Sequence, residues 1–526
     1  MRIDEEVRVY EGVRANSAVV MAFMEGTGLR RLIDERCRSD GICRTLSVGM
    51  AVKAMIGAMY RGSGRTPLYL MDKIFGLCPT DKLFGNSVKP SSLSDTSLGR
   101  CLDVLSKTDM EKLLWDCSEM LCERYGLDSH LLSMDATNYA LYGMGIEDGG
   151  TVPAFGGNSK TNRNDLMQKN IHAVTNGNGV LRTSKPYGGN AADMTMNNDM
   201  IEFLVNRVDP DKVVISADCK LANNVTVDRL LGLGWGFVTK APSNFNGLVK
   251  DSVVSSAITG VMDASPRHPG RYLYDTESEY GNGKLRFVAY RLPGSIDESQ
   301  EYLRNGGFEI ATKRISKFKS RKFFCEDDAR KAFDEMMDGY CGAYRTDVIF
   351  SEDSRLMKKD PDGPHWRGRT GTVSIVEDKI AEAAERFSIR VLVTNLPFAV
   401  EDGEDLRKGA TADKVVDVYL GQYHSEKNFR IMKSGMGVNH VYLHLHRRQD
   451  AMVTVVSLAT MLSNVMDSVL PGKMTANKVI DDLDNGIVEY DRDGDAMRFS
   501  GPPGLRENIF GILGALGVEN KFLLGF

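Results

Sequence analysis

The chain has 526 residues, 42% of them apolar and 26% charged, with a formal net charge of −5. Such a length buries a large core shared among several domains, and the balance is that of a soluble globular protein. The acidic total argues against a molecule coated in basic charge, but nucleic-acid binding depends on local patches and stays open.

The first thirty residues, beginning MRIDEEVRVYEGVRAN, lack a basic start followed by an apolar core, so no signal peptide is expected. The longest apolar stretch, AMVTVVSLATMLSNVM from Ala451, is broken by Thr, Ser and Asn and falls short of the ~18 residues of a membrane span. Nine cysteines are scattered, odd in number and without a CxxC pair, which fits reduced thiols in a cytosol.

In chain order, residues 1–125 read as helical. TLSVGMAVKAMIGAMYRG from Thr45 is apolar at helical spacing, and Thr108 with Glu111 reads as a capping box before EKLLWDCSEMLCERYG. Strand-like runs follow. LLSMDAT places Asp135 near its end, and KVVISAD ends in Asp218 before a helical stretch, NNVTVDRLLGLG, and a strand, WGFVTKA. Strands alternating with helices predict an α/β core with some parallel pairing over 126–255. Residues 256–385 lose this rhythm and read as an insertion, with strand-like RYLYDTE and LRFVAYRL and the basic segment KRISKFKSRK. IRVLVTN from Ile389 restarts the core, which is expected over 386–480. The tail 481–526 reads as a hairpin, NGIVEYDRDGDAMRFSG, and a final helix.

The segment YLGQYHSEKNFRIMK, from Tyr419, predicts one helix. At about 100° per residue, Tyr419, Gln422, Glu426 and Lys433 fall within roughly 60° of one face, with Arg430 close by. Two readings stay open. Glu426 and Arg430 form an i,i+4 ion pair on a solvated face, or Glu426 belongs to a site whose cations grip phosphate oxygens. Asp135 and Asp218 at strand ends favour the second, because sites collect at strand ends in open α/β sheets. Two Asp and a Glu offer only oxygen donors, suited to Mg²⁺ or Mn²⁺ rather than zinc. Two such ions clamp the attacking and leaving oxygens of an in-line phosphoryl transfer.

These segments resemble the insertion-sequence DDE transposases marked by a Tyr-x2-Arg-x3-Glu-x6-Lys signature. Tyr419, Glu426 and Lys433 match its spacing, and Gln422 stands where Arg is usual. SMDATNYAL resembles the segment of the first Asp, VVISADCKLANN that of the second, and RVLVTN the strand before the signature helix. GGNSKTNRNDLMQKNIHAVTNGNGVLRTSKPYGGNAAD resembles the Gly-x-Ser-Lys-x2-Arg-x-Asp-Leu region and the strand pair ending in Gly-Asn-x2-Asp. LYLMDKIFGLCP and SDTSLGRCLDVLSK resemble the family's N-terminal helical region.

The resemblance implies an α/β fold: a ribonuclease H-like catalytic core, an N-terminal helical DNA-binding region, and a mainly β insertion between Asp218 and Glu426. It implies cleavage at the ends of a mobile element and joining of the freed 3′-hydroxyl to target DNA. Asp135, Asp218 and Glu426 would be catalytic and would hold Mg²⁺, with Mn²⁺ able to substitute. Tyr419, Gln422, Arg430 and Lys433 would contact DNA near the cleaved end. Lys160, Arg163, Lys313, Arg314, Lys317 and Lys319 would contact its backbone, although a run such as Lys313–Lys322 also fits a solvated face. The implied partners are double-stranded DNA, terminal inverted repeats and target DNA, bound by a dimer without a membrane, in the cytoplasm at the nucleoid. A non-catalytic DNA-binding descendant and a metal-dependent nuclease are the alternatives.

Other motifs carry bland readings. GLGWG at Gly232 lacks the GxGxxG spacing and reads as a turn. DRDGD at Asp491 lacks the later Glu of a calcium loop. His444 and His446 have no third ligand at metal spacing.

Overall fold

In the computed structural model, the residues described are 11–37, 45–61, 67–85, 87–127, 129–141, 148–155, 166–218, 220–243, 245, 249–360, 363–435, 443–490 and 497–524. They form two compact units, Met1–Leu221 with Leu420–Phe526, and Ala222–Tyr419. Both mix helix and strand.

The first unit has a helical core built round His446–Val469, which contains the apolar segment from Ala451. By length and composition this helix could span a bilayer, but 78% of its apolar window is buried inside the protein, so its apolarity is that of a central core helix. Helices Ala15–Thr27, Val48–Met59, Asp95–Leu105 and Met110–Tyr125 share this core. Tyr60, fully buried, ties the second of these to the long helix through Ala459 O at 2.9 Å and Ser463 Oγ at 2.6 Å. The expected capping box is replaced by a simpler cap. Asp109 accepts from the Lys112 N–H at 3.0 Å, while Thr108 turns back to Val104 O. An aspartate next to the first helical turn reaches that N–H directly, so threonine is not needed.

The sheet of this unit starts from Leu131–Leu141. Met167–Asn176 pairs antiparallel with it, and Leu181–Gly188 pairs antiparallel with Met167–Asn176. The turn between these last two places Gly179 at φ +84°, a conformation that costs glycine nothing. A side chain there would meet the His424 ring, with a Cβ 2.8 Å from Nδ1, so glycine also lets a helix lie against the turn. Helix Asp193–Leu204 leads to Val214–Ala217, which pairs parallel with Leu131–Leu141. The expected parallel pairing is therefore present. Glu11–Arg14, Ile487–Tyr490 and Met497–Ser500 form a separate antiparallel sheet, which includes the hairpin strands of the tail. The DRDGD segment between them lies outside the described residues.

The second unit is built on antiparallel strands Gly236–Lys240, Arg390–Thr394, Gly283–Arg291 and Tyr272–Tyr280. The two units divide at 221/222 and 419/420. The insertion is not mainly β. It carries helices Ser295–Arg304, Gly306–Ser316, Glu326–Asp338, Ser354–Lys359 and Glu377–Ser388 beside short ribbons such as Val348–Glu352 with Trp366–Thr370. Helix-start chemistry explains this. Asp353 caps its helix, and acids fill the first turns at Asp297, Glu298, Glu326, Asp327 and Asp328.

Candidate active site

Asp135 is the fifth residue of strand Leu131–Leu141 and so lies within the strand, not at the end expected for it, whereas Asp218 directly follows strand Val214–Ala217. Leu131, Leu132, Ser133 and Met134 register with Val214, Ile215, Ser216 and Ala217 in the parallel pair. The register ends there, one residue before Asp135 on the first strand and one before Asp218 on the second. Strand alternation puts Ser133, Asp135 and Thr137 on one face, with Ser216 beside Ser133 on one side and Thr175 across from it on the other. Asp135 is half-buried and Asp218 exposed. Each carboxylate is steadied by a backbone N–H: Ala136 donates to Asp135 Oδ1 at 2.7 Å, and Lys220 to Asp218 Oδ1 at 2.9 Å.

The segment bearing Glu426 is not one helix. Ala412–Leu420 ends before Gly421, and a second helix runs Tyr423–Arg430. At the break the hydrogen bonds shorten to i+3, His424 N–H to Gly421 O at 3.1 Å and Ser425 N–H to Gln422 O at 2.9 Å. Glycine is a poor helix interior residue, and this one sits where the backbone tightens. Tyr419 therefore belongs to a different helix from Glu426, and the shared 60° sector does not include it.

Ser425, Asn428 and Phe429 are buried and fix which way the second helix faces. Three polar anchors set it on the sheet face that carries Asp135. Gln422 Nε2 donates to Ser216 Oγ at 2.9 Å, and Asn428 Nδ2 to Thr175 Oγ1 at 3.2 Å. Lys433 Nζ donates to Thr137 Oγ1 at 2.5 Å from a π-helical turn, Ile431–Gly435. Such turns are rare and are frequent at functional sites. Asn464 of the long helix buttresses Asn428 at 2.7 Å. Glu426 lies four residues after Gln422, about one helical turn on, and it is exposed. Among the described residues no ion pair joins Glu426 to Arg430, whereas Lys427 pairs with Asp467 at 2.6 Å.

Among the described residues no three His, Cys, Asp or Glu side chains form a ready-made metal cage. The donors still suit magnesium, which keeps several waters and takes one or two carboxylates plus substrate phosphates rather than a full protein cage.

Lys160 and Arg163 lie outside the described residues. In the second unit Lys313, Arg314, Lys317 and Lys319 are all exposed, on Gly306–Ser316 and the 3₁₀ turn Lys317–Ser320, as are Arg321 and Lys322. Buried Ile315 and Phe318 anchor the run, and Arg321 lies over the Phe318 and Phe323 rings at 5.4 and 5.1 Å. Among the described residues none of these six cations forms an ion pair with an acid. The hydroxyls of Thr137 and Ser216 join the site without having been expected from the sequence. The signal for Thr137 is the alternation Asp-x-Thr, which puts its hydroxyl on the face of Asp135.

A family model described as a domain of unknown function, DUF4277, matches residues 16–118. No curated protein matches the chain. Among solved structures the chain is similar to one titled a cryo-EM structure of piggyBac transposase synaptic complex with hairpin DNA. That likeness has 9% identity and a TM-score of 0.40, covering 90% of this chain and 82% of that one.

Proposed function

We propose that the chain is a metal-dependent DNA transposase that cuts the ends of an insertion sequence and joins the 3′-hydroxyls to target DNA. The reading is supported by the parallel pairing of the strand that bears Asp135 with the strand that runs into Asp218, and by the Gln422–Ser216 hydrogen bond that ties the helix of Glu426 to the second of them. The sequence resemblance supplies the reaction class and the ribonuclease H-like identity of the core.

Asp135, Asp218 and Glu426 would hold Mg²⁺ or Mn²⁺. When bound, the ions lower the pKa of water and stabilise charge on attacking and leaving oxygens. The chain's own residues do the rest. The Ala136 and Lys220 N–H groups orient the two aspartates. Gln422 and Asn428 hold the helix of Glu426 on the sheet. Lys433 and Arg430 supply positive charge for phosphates beside the cut, and Lys433 leaves Thr137 to do so. The exposed run Lys313–Lys322 grips the DNA backbone. A dimer would bring two element ends together, in the cytoplasm at the nucleoid.

The test uses the full chain, a labelled element end, and Asp135→Ala, Asp218→Ala and Glu426→Ala variants. Each variant is expected to lose Mg²⁺-dependent cleavage while keeping end binding and the melting temperature of the metal-free protein. Near-normal cleavage by Glu426→Ala refutes its role. Tight end binding by the wild type with no cleavage in Mg²⁺ or Mn²⁺ would assign the chain to a non-catalytic DNA-binding descendant.

A further inference from the structure

Asp193 closes the Gly-Asn-x2-Asp stretch of the sequence, and the proposed chemistry gives it no task. It is the first residue of helix Asp193–Leu204, whose preceding residue, Ala192, makes no side-chain cap. Its carboxylate forms an ion pair with Lys220 Nζ. Lys220 is two residues beyond Asp218 and donates its own backbone N–H to the Asp218 carboxylate at 2.9 Å. One lysine therefore links the start of a helix to the loop that carries a proposed metal ligand.

The side chains of Asp193 and Lys220 are 32% and 53% exposed. An ion pair so open to water contributes little to folding. Its location has another consequence. An ammonium on a four-carbon stem, anchored two residues from a carboxylate, has that carboxylate within reach and competes for it with any divalent cation. Asp193 gives the ammonium another partner.

We propose that Asp193 is a positioning residue that parks the Lys220 ammonium away from Asp218, leaving that carboxylate for a divalent cation. This rests on the proposed metal site and adds to it a residue that touches neither metal nor DNA. Losing Asp193 lets Lys220 fold onto Asp218, so a cation must displace it. Losing Lys220 as well removes the competitor.

The experiment titrates Mn²⁺ into the DNA-free full chain by calorimetry, comparing wild type with Asp193→Ala, Lys220→Met, the double variant and Asp218→Ala. Melting in EDTA checks the fold. Asp193→Ala should bind Mn²⁺ about fivefold more weakly, the upper range of an exposed ion pair. The double variant should return to wild-type affinity, and all melting temperatures should stay within ~2 °C, as loss of a weak pair implies. A helix-start acid that serves only the helix dipole predicts the opposite pattern, a lower melting temperature and unchanged Mn²⁺ affinity. Unchanged affinity in Asp193→Ala, or a double variant as weak as the single, overturns the inference. If Asp218→Ala still weakens binding in that case, the metal site stands without it. If Asp218→Ala also changes nothing, the site reading falls and the inference with it.

Discussion

Gln422 donates its side-chain amide to the hydroxyl of Ser216 at 2.9 Å, two residues before Asp218 and four before Glu426. One hydrogen bond thus connects the helix of the third acid to the strand of the second. Gln422→Ala should cost about 1 kcal/mol, the usual worth of such a bond. It should lower cleavage more than stability, because the helix can then shift on the sheet. Gln422→Glu places a carboxylate beside Asp218 and Glu426 and should be worse than Ala in cleavage. Melting temperatures and single-turnover cleavage of the two variants check the order; equal cleavage by wild type and Gln422→Ala would leave the bond without a catalytic consequence.

Lys169 is fully buried and pairs with Asp450 at 2.8 Å, and Asp450 also accepts from the Thr151 N–H at 2.7 Å and hydroxyl at 2.8 Å. Burial pushes the Lys169 pKa down and Asp450 opposes that shift. Lys169→Met leaves a buried carboxylate without its cation and should destabilise by about 3–5 kcal/mol. Lys169→Met with Asp450→Leu should recover part of that loss. Denaturant unfolding of the single and double variants measures both, and a single variant within about 1 kcal/mol of wild type, by the same reasoning, would mean that water reaches the pair.

The basic run in the second unit makes a separate prediction about salt. Replacing Lys313, Arg314, Lys317 and Lys319 together by Ala should weaken DNA binding. It should also flatten the dependence on salt, by about one unit of log–log slope for each phosphate no longer gripped. The four are exposed, so the melting temperature should barely move. Binding isotherms from low to high salt decide, and an unchanged slope returns the run to an ordinary solvated surface.

Which parts of this arrangement are legible in the sequence follows from the range of the signals. The parallel pairing of the strands around LLSMDAT and KVVISAD is readable from their short apolar runs, but the continuation of the first strand past Asp135 to Leu141 is not. The placing of Glu426 one turn after Gln422 is readable from helical spacing, but neither the separation of Tyr419 nor the π-helical turn that holds Lys433 is. The break at Gly421 is a local tightening of hydrogen bonds that no spacing encodes. The helices of the insertion are hidden because their starts carry single caps and acids rather than long apolar stripes; Glu326–Asp338 buries Ala329 and Phe333 and is otherwise largely polar. The partners of the anchors, Ser216, Thr175 and Thr137, come from three different strands. Pairings of that kind depend on sheet register, which is set by the whole fold.

His424 allows a test of how the site helix is seated. Its ring packs against the turn at Gly179 and lies 4.0 Å from the Tyr423 ring. Burial lowers its pKa, and the nearby Lys427 lowers it further. The folded protein therefore favours neutral imidazole, while the unfolded chain titrates near the usual ~6.5. Above that value both states are neutral and the contribution to stability is complete. As pH falls below it, the unfolded chain takes up a proton first and stability is lost, until the folded form also protonates at its lower pKa. Melting temperatures of wild type should therefore fall more steeply from about pH 7 to about pH 5 than those of His424→Gln, which has no group to titrate there. The same acid range should loosen the helix bearing Glu426, read as faster hydrogen exchange over 423–430 in wild type alone. Parallel pH profiles for the two proteins would mean that the imidazole stays solvated and that the helix is held by its three polar anchors without it.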